Sequence, residues 1–137
     1  MAAAGDAVVM LRVSPGHRLF RLRRLRLADG EPMGLQTAYV PMELVPGIDA
    51  VAFTAASLYD VLRDRYSLSP ASARETHVAV ALSDEDASWL QVAPGSPAMA
   101  AHRVAYLADG RPLEYVESMM RGDRYKVVLD LVQKTGR

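Results

Sequence analysis

Two hexapeptides eighty residues apart constrain this chain more than any other feature: Leu27-Ala28-Asp29-Gly30-Glu31-Pro32 and Leu107-Ala108-Asp109-Gly110-Arg111-Pro112 agree at five of six positions. The similarity runs upstream across one gap. Leu11-Arg12-Val13-Ser14-Pro15-Gly16 overlays Leu90-Gln91-Val92-Ala93-Pro94-Gly95 at a shift of 79. A duplicated unit accounts for this better than chance. Each unit reads as a short helix, Pro-Gly, a strand, an Ala-Asp-Gly turn and a second strand. Asp-Gly between alternating runs predicts a hairpin, because glycine adopts the positive φ such turns require. The hairpins are expected over 19–40 and 98–120.

Between the units, Leu58, Val61, Leu62 and Tyr66 recur at helical spacing behind a capping Ser57 and predict a helix over about 57–66. Thr76, Val78, Val80 and Leu82 alternate with His77, Ala79 and Ala81 and predict a strand over 74–82, covered on both sides. Ser83, with Asp84, Glu85 and Asp86 behind it, opens a further helix ending near Leu90. Val127, Leu129 and Leu131, opposite Val128 and Asp130, predict a last strand over 125–131. Hairpins with helices between them give an α+β domain on a mostly antiparallel sheet.

With 137 residues the chain is expected to form one domain. Half of the residues are hydrophobic and 23% are charged, the composition of a globular protein. No apolar run approaches the roughly 20 residues that span a bilayer. The lack of cysteine excludes disulfides and thiolate metal sites and fits a reducing cytoplasm. Sixteen basic and sixteen acidic residues leave no net field for nucleic acid. Arg12, Arg18, Arg21, Arg23, Arg24 and Arg26, however, fall in a stretch without any acid, so a local anion site is expected there.

In a strand Arg21 and Arg23 share one face, and Arg24 and Arg26 the other. The repeat separates them. Arg23 aligns with Arg103, whereas Arg24 and Arg26 align with Val104 and Tyr106, which points Arg24 and Arg26 inward. A buried guanidinium needs a partner. Two arginines at i, i+2 form a fork for carboxylate or phosphate, unless they pair with structural acids or line a solvated face. Ser57 adds a hydroxyl and free N–H groups at a helix start, a place where anions dock but where most serines only cap. Glu114 offers an acceptor for sugar hydroxyls, or is an exposed edge glutamate. His17, His77 and His102 lack metal-ligand spacing, so no metal is assigned. Trp89 and Met99 are expected in the core. No motif implies a cofactor.

Phe20 to Met33, Gln36-Thr37-Ala38-Tyr39-Val40-Pro41, Ser57-Leu58-Tyr59 and Arg121-Gly122-Asp123-Arg124-Tyr125 together resemble the UTRA domains of GntR/HutC-family bacterial regulators, over about 11–131. The resemblance implies a chorismate-lyase-like α+β fold without enzyme activity. It implies a cytoplasmic, dimerising effector domain that controls a winged helix-turn-helix. No such reader and no first UTRA strand precede Leu11, so the expectation is a single ligand-binding domain over 1–137, reaching DNA only through an absent N-terminal domain. In members that sense phosphorylated amino sugars the matching anion positions are Arg24, Arg26, Ser57 and Tyr59, with Gln36 and Glu114 contacting the remainder. The family frequently has Glu at Gln36 and Tyr at Met120, so contacts beyond the anion differ here. The alternatives are a lyase of the same fold acting on an aromatic acid, with Glu114 as general acid or base, and a structural dimerisation module with both arginines in ion pairs.

Overall fold

The computed structural model describes residues 2–53 and 56–133. Its order is α1 (Ala2–Met10), β1 (Leu19–Ala28), β2 (Glu31–Pro41), α2 (Leu58–Tyr66), β3 (Ser72–Ala81), α3 (Asp84–Leu90), β4 (Pro97–Tyr106) and β5 (Pro112–Arg121), with two 3-10 turns, Met42–Leu44 and Ile48–Ala50, before α2. The five strands form one antiparallel sheet in the order β1-β2-β5-β4-β3. The expected mostly antiparallel α+β architecture with duplicated hairpins is what the chain adopts. The second strand of one hairpin lies beside the second strand of the other.

Both faces of the sheet are covered in part. On one face Phe20, Ala38, Val40 and Val116 pack beneath Leu58, Val61 and Leu62 of α2 and beneath Val45 and Ile48. On the other, Ala7 and Leu11 lie over Tyr39, Val104 and Tyr115, and Ala87 and Leu90 of α3 lie over Leu35 and Ala98. The helix ends follow the sequence. The Ser57 and Ser83 hydroxyls accept from the N–H groups of Asp60 and Asp86, each satisfying a first-turn donor that the helix leaves free.

The twin hexapeptides close by different turns. Asp29 and Gly30 both have positive φ (52° and 78°), and Ala28 pairs with Glu31 across a two-residue turn. In the second hairpin only Gly110 is positive, and the Leu107 N–H bonds the Arg111 carbonyl, so the loop is one residue longer. A one-residue change of register moves a strand's side chains to the other face of the sheet. Val104 therefore lies under α1, while its sequence counterpart Arg24 faces α2. The repeat assigned Arg24 and Arg26 to the covered face for a reason that does not hold.

Three further expectations are corrected. β3 is exposed on both faces along almost its whole length, because neither α1 nor α3 extends over this edge strand. Trp89 is 54% exposed, on the side of α3 turned away from Ala87 and Leu90. Residues 125–131 form no strand and are exposed after Tyr125, since both neighbours of β5 are already in place.

Candidate functional site

The α2 side of the sheet opens toward one end into a cavity of about 610 Å³. Strand register builds its floor in rows. Arg24, Gln36, Ser118, Ala101 and His77 are successive cross-strand neighbours, and so are Leu22, Ala38, Val116, Arg103 and Glu75. A third row carries Arg26, Gly34 and Met120. Gly34 makes this row possible: a Cβ there would overlap the Met120 Sδ, so the methionine lies across the bare backbone of β2. The roof is the start of α2, with Ser57, Leu58 and Tyr59, and Tyr125 closes one side.

Arginines stand at one end and a buried carboxylate in the interior. Among the described residues neither Arg24 nor Arg26 makes a hydrogen bond or an ion pair with a protein carboxylate. Arg24 is half-buried, and its guanidinium is held below its usual pKa first by desolvation and then by the like charge of Arg26, with Glu114 opposing. Arg26 is exposed rather than inward. The first-turn N–H groups of Leu58 and Tyr59 have no acceptor within their helix and add the positive end of its dipole. Two unpaired cations beside a helix N-terminus attract an anion and hold it by charge-assisted hydrogen bonds.

Glu114 is the opposite pole. It is 3% exposed, and its Oε1 has no hydrogen-bond partner. Desolvation lifts its pKa above the ordinary glutamate range, with Tyr59, Arg103 and Arg24 pulling it partly back. The Tyr59 hydroxyl accepts from Arg103 Nη1 at 3.2 Å and stands beside the Glu114 carboxylate. Burial and the Glu114 charge push the Tyr59 pKa up to about 12, so it stays a donor at neutral pH. Arg103 is in turn fixed by Glu75, which also meets His77 at 3.2 Å. Gln36 Nε2 donates to Ser118 Oγ at 3.3 Å, which turns the amide oxygen free for a ligand donor.

All seven residues singled out from the sequence, Arg24, Arg26, Gln36, Ser57, Tyr59, Glu114 and Met120, line this one cavity. Sequence reasoning missed Arg103, Glu75, His77 and Tyr125. Arg103 was equated with Arg23, whose side chain belongs to the opposite face. The face of Arg103 follows from the longer turn before Arg111, which the shared Ala-Asp-Gly motif does not announce. There the Asp109 carboxylate accepts from the Arg111 N–H at 3.0 Å and fixes the three-residue loop.

The Arg121-Gly122-Asp123-Arg124-Tyr125 motif is structural in its first four residues. Arg121 is buried, with Nη2 on Asp123 at 2.7 Å and Nη1 on the Pro32 carbonyl at 3.1 Å. Arg124 reaches Glu31 at 2.8 Å. A Cβ on Gly122 would lie 2.7 Å from the Pro97 carbonyl oxygen. Together these contacts tie the ends of β2, β4 and β5 beside the cavity. No cluster of three or more potential metal ligands occurs among the described residues.

Comparison with known proteins agrees with this fold. The UTRA domain matches residues 2–126. The chain is 32% identical over 111 residues to the HTH-type transcriptional repressor NagR of Bacillus subtilis, covering 80% of this chain and 45% of that protein. It is 31% identical over 125 residues to the HTH-type transcriptional regulator GgaR of Escherichia coli K12, covering 91% and 49%. The chain thus spans about half the length of these relatives. The crystal structure of PhnF from Mycobacterium smegmatis superimposes with a TM-score of 0.86 at 27% identity, over 93% of this chain and 56% of that one. The ligand-binding domain of a GntR-family regulator from Bordetella bronchiseptica does so with a TM-score of 0.83 at 25% identity, over 92% and 83%. The chain belongs to the UTRA domain family, whose members among its relatives are parts of GntR-type transcription regulators.

Proposed function

We propose that this domain senses an anionic metabolite, with a phosphorylated sugar or amino sugar as the leading class, and that its occupancy controls a DNA-binding domain. The observation that carries this reading is one cavity with two ends. Arg24, Arg26 and the α2 start favour an anion, and the unpartnered Glu114 Oε1 favours a ligand hydroxyl or ammonium. Phosphate satisfies a fork of guanidinium donors and backbone N–H groups together. A purely structural role for the arginines requires protein carboxylates on both, and among the described residues there are none. An active enzyme is disfavoured by kinship, since the relatives are regulators. The sensor acts as a dimer in the cytoplasm and meets DNA only through a winged-helix partner domain. A ligand shifts such an equilibrium only by its differential affinity for the two arrangements of the dimer.

Calorimetric titration with hexosamine phosphates, the parent sugars and small organic acids tests the reading. The phosphorylated compounds should bind and the parent sugars should not. Arg24→Ala and Arg26→Ala should each weaken binding by about 10- to 100-fold, as loss of a charge-assisted hydrogen bond worth about 1.5–3 kcal/mol implies. Binding that neither substitution changes would place the ligand elsewhere.

A further inference from the structure

We propose that the cavity holds a second binding station at β3 and β4, built from His77 and Glu75 and reached across Ala101, and that the ligand is a phosphorylated sugar extended by a second, hydroxyl-rich unit. This deepens the reading of the cavity above and rests on it. The arginine end takes the anion in both.

The first observation is the length of the cavity. Its floor row runs Arg24, Gln36, Ser118, Ala101, His77, one residue from each strand, and all five line the same cavity. Four strand spacings of ~4.8 Å set the ends of the row about 19 Å apart. A hexose phosphate has about six bonds between its phosphorus and its anomeric hydroxyl, so it spans at most about 9 Å at ~1.5 Å per bond. Anchored at Arg24 and Arg26, it ends near β5 and leaves β4 and β3 uncovered. The row does not close there. Ser118 and Ala101 carry its smallest side chains, so the floor stays open as far as His77. The volume of about 610 Å³ agrees, since it lies well inside the range that holds drug-sized ligands.

The second observation is the chemistry at the far end. Arg103 Nη1 donates to the Tyr59 hydroxyl and Nε to the Glu75 carboxylate, and the other Glu75 oxygen meets His77 Nε2 at 3.2 Å. The Arg103 hydrogen bond holds the Glu75 carboxyl below its ordinary range, so Glu75 is an ionised acceptor at neutral pH. A neutral His77 ring that donates through Nε2 keeps Nδ1 as an acceptor, and Nδ1 has no partner among the described residues. The side chains of His77 and Glu75 are 31% and 38% exposed, which leaves both within reach of a ligand. Arg103 and Glu75 cancel each other's charge. This end therefore offers hydrogen bonds without a net field. Hydroxyls, which donate and accept at once, suit it, whereas a second ion would find no free counter-charge.

Calorimetry on the full chain tests the extension. Glucose 6-phosphate is compared with the 6′-phosphates of maltose and cellobiose, which carry a second glucose in α and in β linkage, and with the phenyl glucoside 6-phosphates of both anomers, which add length without hydroxyls. At least one disaccharide phosphate should bind ~10-fold or more tightly than glucose 6-phosphate, as two further hydrogen bonds imply, and the phenyl glucosides should not. Ala101→Phe fills the open floor and His77→Ala removes the acceptor. Each should bring the ratio of disaccharide to monosaccharide affinity down toward one, with circular dichroism checking the fold of both variants. Equal binding of glucose 6-phosphate and both disaccharide phosphates, with glucose 6-phosphate weakened by Arg24→Ala, overturns the second station and leaves the anion reading intact. A phenyl glucoside that gains as much as a disaccharide overturns the hydroxyl assignment. A gain that survives both Ala101→Phe and His77→Ala overturns the placement at β3. If no phosphorylated compound binds, the anion reading and its extension fall together.

Discussion

Glu114 is the residue at which stability and recognition conflict. Its carboxyl is lifted by desolvation from its ordinary 4.5, which means that the folded state binds the proton more tightly than the unfolded state. Its stabilising contribution is therefore fully present below the ordinary glutamate range and is lost as pH rises through the raised value. Through this group the unliganded protein should lose stability as pH rises above about 4.5 toward neutral pH and beyond. Glu117 is also raised, by burial, and adds the same sign, so the slope of interest is the difference between the native chain and Glu114→Gln. In urea unfolding followed across that range, Glu114→Gln should flatten the profile and be more stable at neutral pH by on the order of 1 kcal/mol. The substitution also reports on the ligand. A sugar hydroxyl still finds an amide oxygen and should lose little affinity. An ammonium loses its counter-charge and should bind at least ~10-fold more weakly, since charge-assisted bonds are the stronger kind. An unchanged pH profile would show that Glu114 titrates as an ordinary surface acid.

Helix starts provide a control at the scale of elements. Ser57 and Ser83 make the same cap, each accepting from the N–H three residues on, so Ser57→Ala and Ser83→Ala should each cost about 1 kcal/mol in thermal or denaturant unfolding. Only Ser57→Ala should also weaken anion binding, because only α2 opens into the cavity. Equal effects of the two on ligand affinity would reduce Ser57 to a cap. Gly122→Ala should be the costlier change, about 2 kcal/mol or more, because its Cβ meets a backbone carbonyl that cannot move without disturbing β4. These local features were legible in the sequence: capping serines, Asp-Gly turns and i, i+3, i+4 apolar faces are written within a few residues. The site residues on β1, β2, β5 and α2 were legible through the family resemblance. The face of Arg103 was not, because it depends on one extra residue in the second turn, and hexapeptides that differ at a single position close by different turns. The strand expected over 125–131 does not form, because alternation states what a segment favours and not which edge is free to receive it.

At the scale of the whole molecule the cavity is walled by α2 and by all five strands, with Tyr125 beyond β5. A ligand seated there binds the folded chain, not the unfolded one. Such binding raises the free energy of unfolding by RT ln(1 + [L]/Kd), about 2.7 kcal/mol at a hundredfold excess over Kd. In urea unfolding with a hexosamine phosphate at that excess the native chain should gain this amount. Arg24→Ala at the same ligand concentration should gain only about 0.4–1.4 kcal/mol, because a site ~10- to 100-fold weaker is then far from saturated. An equal gain in the two chains would mean that the ligand does not use the arginine end of the cavity.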